Sequence, residues 1–114
     1  MDQIKQKLRE FAKERDWDQF HTPKNLAMAL SGEVGELTEI FQWLTPEQSD
    51  KDGLSPEQVE NVKEEIADVY LYLIRLADKL DIDLNEVAME KLKVNAEKYP
   101  VDLSKSNAIK YNKR

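Results

Sequence analysis

A chain of 114 residues, 40% apolar and 35% charged, has the size and mix of one folded domain, not of a disordered polyelectrolyte or a membrane protein. It has no cysteine and one histidine, which excludes disulfides, thiolate metal centres and histidine-rich ones. The net charge of −6 is uneven: residues 1–90 hold 10 Lys/Arg against 21 Asp/Glu and residues 91–114 hold 7 against 2, so the acidic body argues against nucleic-acid binding, while the basic end reads as a solvated tail or a stretch that meets phosphates.

The opening MDQIKQKLRE has no hydrophobic signal core, and no apolar run nears the roughly 20 residues of a membrane span, so a cytoplasmic location is expected. With only 3 Gly and 4 Pro, the sequence favours long helices and an all-α domain over residues 1–114. The first helix is predicted over residues 3–15, with Ile4, Leu8, Phe11 and Ala12 on one face, ending near Asp16. A second is predicted over residues 23–44, capped by Thr22, opened by Pro23 and stopped by Pro46. Its stripe Leu26, Leu30, Glu33, Leu37, Ile40, Leu44 steps by threes and fours. Residues 45–54, polar and containing Gly53, form a loop.

Ser55-Pro56-Glu57-Gln58 is a capping box that opens a third helix. Its core seam is Val59, Val62, Ile66, Val69, Leu73, Leu76 and Leu80. Ala67, Tyr70, Leu71 and Ile74 form a second apolar face, which points to a second copy of the chain packed there and hence a homo-oligomer. A fourth helix starts at Asp83, boxed by Glu86, and ends at Tyr99 before Pro100. Residues 101–114 are a polar tail with Ile109 and Tyr111 as its late anchors.

Two carboxylate pairs break the apolar pattern. Glu33 sits inside the leucine stripe with Glu36 one turn on, and the third helix offers Glu65 and Asp68 at the same spacing. If the two helices pair antiparallel, four carboxylates converge. Buried together they require protonation or a cation, and all-oxygen ligands suit Mg²⁺ or Mn²⁺. The alternative is ordinary surface charge. Gly32 and Gly35 flank the first pair, and each costs about 1 kcal/mol in a helix relative to alanine. Close approach of a ligand and tight helix packing explain them equally well.

Lys91, Asn95 and Lys98 share a face of the fourth helix and suit phosphate oxygens, or simply a solvated face. Trp17, Phe20, His21, Trp43 and Tyr72 suit either core packing or stacking of a nucleobase. His21 alone reads as a hydrogen-bonded structural histidine.

Glu33-Val-Gly-Glu36-Leu with Phe41-Gln-Trp43 after it, Glu64-Glu65-Ile-Ala-Asp68-Val, and Lys91 through Asn95 to Lys98-Tyr99-Pro100 resemble the MazG-like nucleoside triphosphate pyrophosphohydrolases. Within that all-α family, Glu14-Arg15-Asp16-Trp17-Asp18-Gln19-Phe20-His21 is most similar to the branch that acts on dCTP. The likeness spans residues 4–111 and implies a four-helix bundle-like MazG-type fold in dimers or tetramers whose sites draw on neighbouring chains. It implies Mg²⁺ (or Mn²⁺) held by Glu33, Glu36, Glu65 and Asp68, a base and sugar pocket from Trp17, Asp18, Gln19, Phe20, His21, Trp43 and Tyr72, and phosphate contacts from Lys91, Asn95 and Lys98. The implied reaction cleaves dCTP or a related or modified pyrimidine nucleotide to its monophosphate and pyrophosphate, cleansing the nucleotide pool. One departure is Lys7-Leu8-Arg9-Glu10, which lacks the first-helix histidine of dCTP-acting relatives and leaves dUTP or another nucleotide open. A non-enzymatic helical interaction module is the alternative of a different class.

Overall fold

The computed structural model describes residues 2–108; the anchors Ile109 and Tyr111 lie outside the described residues. Among the described residues every regular element is helical, and no helix is long and apolar enough to cross a membrane. The chain falls into two compact units, residues 1–81 and 82–114.

In the first unit, α1 spans Asp2–Glu14 and ends through its own backbone. The Asp16 N–H donates to Lys13 O at 3.1 Å, and the Trp17 N–H to Ala12 O at 2.8 Å, with Asp16 left-handed at φ 53°. This is a Schellman closure with aspartate in the position that usually takes glycine. Gln19 steadies it, its side-chain amide donating to both the carbonyl and the carboxylate of Asp16 at 3.1 and 3.0 Å. The turn therefore sets Trp17. A 3₁₀ turn, Asp18–Phe20, then carries the chain to His21.

Helix α2 spans Pro23–Phe41, and Thr22 caps it by accepting from the Asn25 N–H at 3.1 Å. It stops three residues short of the predicted Leu44. Leu44 N–H reaches Phe41 O in a tight turn, because Thr45 precedes Pro46 and is pushed out of the helical region. Thr45-Pro46-Glu47-Gln48 then forms its own reciprocal box, at 2.9 and 3.1 Å, and curls residues 45–54 into a compact loop. Gly53 is obligatory there, since a Cβ would lie 2.2 Å from Glu47 O and 2.8 Å from Gln48 O.

Helix α3 spans Pro56–Lys79 behind the predicted Ser55–Gln58 capping box. It runs antiparallel to α2: the α2 residues from Leu26 to Ile40 face α3 residues from Arg75 back to Asn61. The core of this unit is small: Ala12 from α1, Leu26 from α2, and Ile74 and Ala77 from α3.

The expected division of labour on α3 needs correction. Ile74, assigned to the outward face, is 1% exposed, whereas the seam residues Ile66, Leu73 and Leu80 are 53%, 38% and 50% exposed. A helix touched by α1 and α2 on different sides buries the sector between them. Spacing alone fixes a stripe, not which neighbour it meets.

In the second unit α4 spans Leu84–Lys98, with Asp83 as its cap accepting from the Glu86 N–H at 3.1 Å, and α5 spans Val101–Ser104 after Pro100.

Candidate metal centre and adjoining cavity

Glu33 and Glu36 on α2 and Glu65 on α3 each bring a carboxylate oxygen within 4.8 Å of the others. Glu33 and Glu65 are half-buried and Glu36 is exposed. The Oε2 atoms of Glu33 and Glu65 are buried and have no hydrogen-bond partner. Burial raises both carboxyls above their ordinary range, and Glu65 is pushed up to about 7, by burial first and then by hydrogen bonding to, and repulsion from, Glu33 and Glu36. Left to themselves, Glu33 and Glu65 resist full ionisation near neutral pH. A hard divalent cation is the other way to satisfy them. The two orphaned oxygens and the all-oxygen donor set fit Mg²⁺ or Mn²⁺.

Asp68, the fourth carboxylate of the sequence pattern, is not in this group of three. Three residues advance a helix by about 4.5 Å, and that step sets Asp68 on the wall of a 260 Å³ cavity while its charge still repels Glu33. Leu8, Phe11, Trp17, His21, Leu26, Leu71, Tyr72 and Arg75 complete the lining. On the other side of the cluster, Glu36 and Glu65 border an open groove of 360 Å³ with Glu39, Ile40 and Asn61. The acidic centre thus stands between an aromatic cavity and an acidic groove.

Of the predicted base-pocket residues, Trp17, His21 and Tyr72 line the cavity. The Trp17 ring meets His21 edge-on at 6.5 Å and Phe11 at 5.7 Å. Phe20 is exposed and Trp43 is 86% exposed, and neither lines this cavity. Gln19 is bound to Asp16, and Asp18 to Lys79 and Arg75. Lys91, Asn95 and Lys98 stand on α4 in the second unit, with Lys91 exposed and the other two half-buried. A Cβ at Gly32 or Gly35 meets nothing within 4 Å, so neither glycine makes room for another described part of this chain.

Arg75 escaped the sequence reading. It is the one buried charged residue among those described, at 6% exposed. Its Nε–H donates to His21 Nδ1 at 3.2 Å, its Nη2 to Asp18, and its Nη1 stands 3.6 Å from Asp78 Oδ2. Lys79 adds 2.7 Å to Asp18, and Arg9 grips Asp78 with two bonds of 2.7 and 2.5 Å. These cations hold both aspartates below the ordinary carboxylate range, Asp18 chiefly through Lys79 and Asp78 chiefly through Arg9. The available signal was a lone arginine amid the apolar residues 66–77, since a charge buried there must be paired.

A family model described as MazG-like matches residues 28–113. dCTP pyrophosphatase 1 of Bos taurus is 43% identical over 111 residues, which are 97% of this chain and 66% of that protein. The Homo sapiens protein of the same name is 43% identical over 97% of this chain and 65% of its own length. The chain thus spans just under two thirds of these relatives. The crystal structure of a pyrophosphatase from Archaeoglobus fulgidus is 43% identical with a TM-score of 0.80, covering 88% of this chain and 92% of that one. Sequence match and shared helical architecture agree over most of the described residues, and the chain belongs to the MazG-like family.

Proposed function

We propose that this protein is a divalent-cation-dependent nucleoside triphosphate pyrophosphohydrolase. It cleaves dCTP, or a related or modified pyrimidine deoxynucleotide, to the monophosphate and pyrophosphate. The carrying observation is the pair of orphaned buried oxygens on Glu33 and Glu65, with Asp68, one turn from Glu65, on the wall of an aromatic cavity. The names of the bovine, human and archaeal relatives support the same reading.

In this reading Glu33, Glu36 and Glu65 hold Mg²⁺ or Mn²⁺, with Asp68 at the margin. When bound, the cation supplies neutralising charge for the triphosphate and acidity for the attacking water. Trp17 and Tyr72 take the base, and His21 and Asp68 supply polar walls. Water attacks the α-phosphorus and the bond from that phosphorus to the bridging oxygen breaks. Glu36, the exposed carboxylate, takes the proton of the water, and pyrophosphate leaves. The role is nucleotide-pool cleansing in the cytoplasm.

The functional unit is a homo-oligomer, dimer or tetramer. Ile66, Tyr70 and Leu73 share an exposed face of α3, and the open flank at Gly32 and Gly35 admits a second backbone. The exposed Trp43 suits a site that a neighbouring chain completes.

Incubation with each deoxynucleoside triphosphate and Mg²⁺ tests the activity. Pyrophosphate and monophosphate are the expected direct products, and orthophosphate overturns the proposed site of attack. Sedimentation tests the assembly.

A further inference from the structure

Arg75 and His21 form a contact that the chemistry above does not use. A guanidinium donates hydrogen bonds and never accepts them. The 3.2 Å bond from Arg75 Nε–H to His21 Nδ1 therefore requires a lone pair on Nδ1. The proton of the neutral ring must then sit on Nε2. Turning the ring over would set a C–H against the buried arginine N–H, which has no other acceptor in the network.

Arg75 itself has little freedom. Asp18 and Asp78 hold its two terminal nitrogens, and Arg9 and Lys79 hold those aspartates in turn. The Nε2–H makes no hydrogen bond to any described residue, and the ring lines the aromatic cavity. Burial and the charges of Arg75 and Lys79 lower the His21 pKa against the opposing pull of Asp18, which favours the neutral ring. Asp68 and Tyr72 are the other titratable groups on that cavity wall.

We propose that Arg75 is a positioning residue that fixes His21 as a donor-only wall of the cavity, so that the pocket takes cytosine, whose N3 accepts a hydrogen bond, over uracil or thymine, whose N3 carries a hydrogen. This deepens the pyrophosphohydrolase reading and rests on it for the identity of the ligand. Once a base covers it, a donor facing another N–H goes unpaired, and the loss of one such bond weakens the wrong base by about tenfold.

Three measurements decide it. His21 is the only histidine, so its ¹⁵N spectrum needs no assignment. In the wild-type protein the neutral ring at pH 8 is expected as the Nε2–H tautomer; an Nδ1–H tautomer overturns the proposal. With the wild-type enzyme, 3-deaza-dCTP is expected to lose about tenfold in kcat/KM against dCTP; equal turnover overturns it. In Arg75→Met the preference for dCTP over dUTP falls about tenfold and the His21 titration moves to higher pH. Unchanged discrimination in a folded variant overturns the proposal, and the first two arms need no variant at all. If wild-type protein hydrolyses no nucleotide, the activity reading fails by itself. Titration with deoxycytidine and deoxyuridine, read at His21 Nε2–H, then decides this inference: a shift with the former alone supports it, and equal shifts or none overturn it.

Discussion

Two clusters of charge lie along α3, and they solve burial in opposite ways. Around Arg75, two aspartates meet three cations, and every buried charge has a partner at hydrogen-bond distance or close to it. Around Glu65, three carboxylates meet one another and two buried oxygens have none. A balanced network is complete as the chain folds and serves to hold things still. An unbalanced one is complete only with a proton or a cation from outside. The contrast fits positioning by the first cluster and supports the ion binding proposed for the second.

Removing a carboxylate from the unbalanced cluster breaks the contrast most severely. Glu33→Gln and Glu65→Gln are expected to lower kcat/KM by more than about a hundredfold, beyond what outer contacts to a metal cost. Their helical circular dichroism remains intact, because like-charge repulsion has been relieved. Removing an acid from the balanced cluster damages the fold instead. Asp78→Ala leaves buried Arg75 short of a partner and is expected to cost about 3 kcal/mol in urea unfolding.

The pH dependences run in opposite senses. Glu65 carries a folded pKa of about 7 against an ordinary 4.5. Its stabilising contribution in cation-free protein is full below about 4.5 and is lost as pH rises through about 7. Asp18 and Asp78 have lowered values, so their contribution is full above the ordinary 3.8 and is lost as pH falls below it. Melting curves from pH 3 to pH 8, with and without Mg²⁺, separate the two: Mg²⁺ restores stability at the alkaline end and leaves the acid limb unchanged.

The smallest expected effects concern glycines. Gly53→Ala destabilises, because its Cβ meets two backbone carbonyls. Gly32→Ala stabilises α2 by about 1 kcal/mol in a monomer, and it weakens assembly where a second chain packs on that open flank. Thermal melts paired with sedimentation distinguish the two outcomes.

Local chemistry was the legible part of this fold. Thr22-Pro23, Ser55 with Gln58, and Asp83 with Glu86 announce three helix starts, because a cap needs only residues three apart. The Glu33–Glu65 convergence was legible too, since a carboxylate within a leucine stripe has to be explained. The second setting of Asp68 was not, because spacing brings it near Glu33 but does not show that it also lines the cavity. The Arg75 network joins residues 54 to 69 positions apart, and no spacing rule reaches that far. The box at Thr45–Gln48 repeats the chemistry of Ser55–Gln58 inside a segment whose polarity suggested only a loop.

Calorimetric titration of Mg²⁺ near pH 7, in buffers of different ionisation enthalpy, tests the central claim most directly. Saturable binding with release of a proton, lost in Glu65→Gln, is the expected result. Absence of binding heat, or binding that Glu65→Gln leaves unchanged, contradicts it.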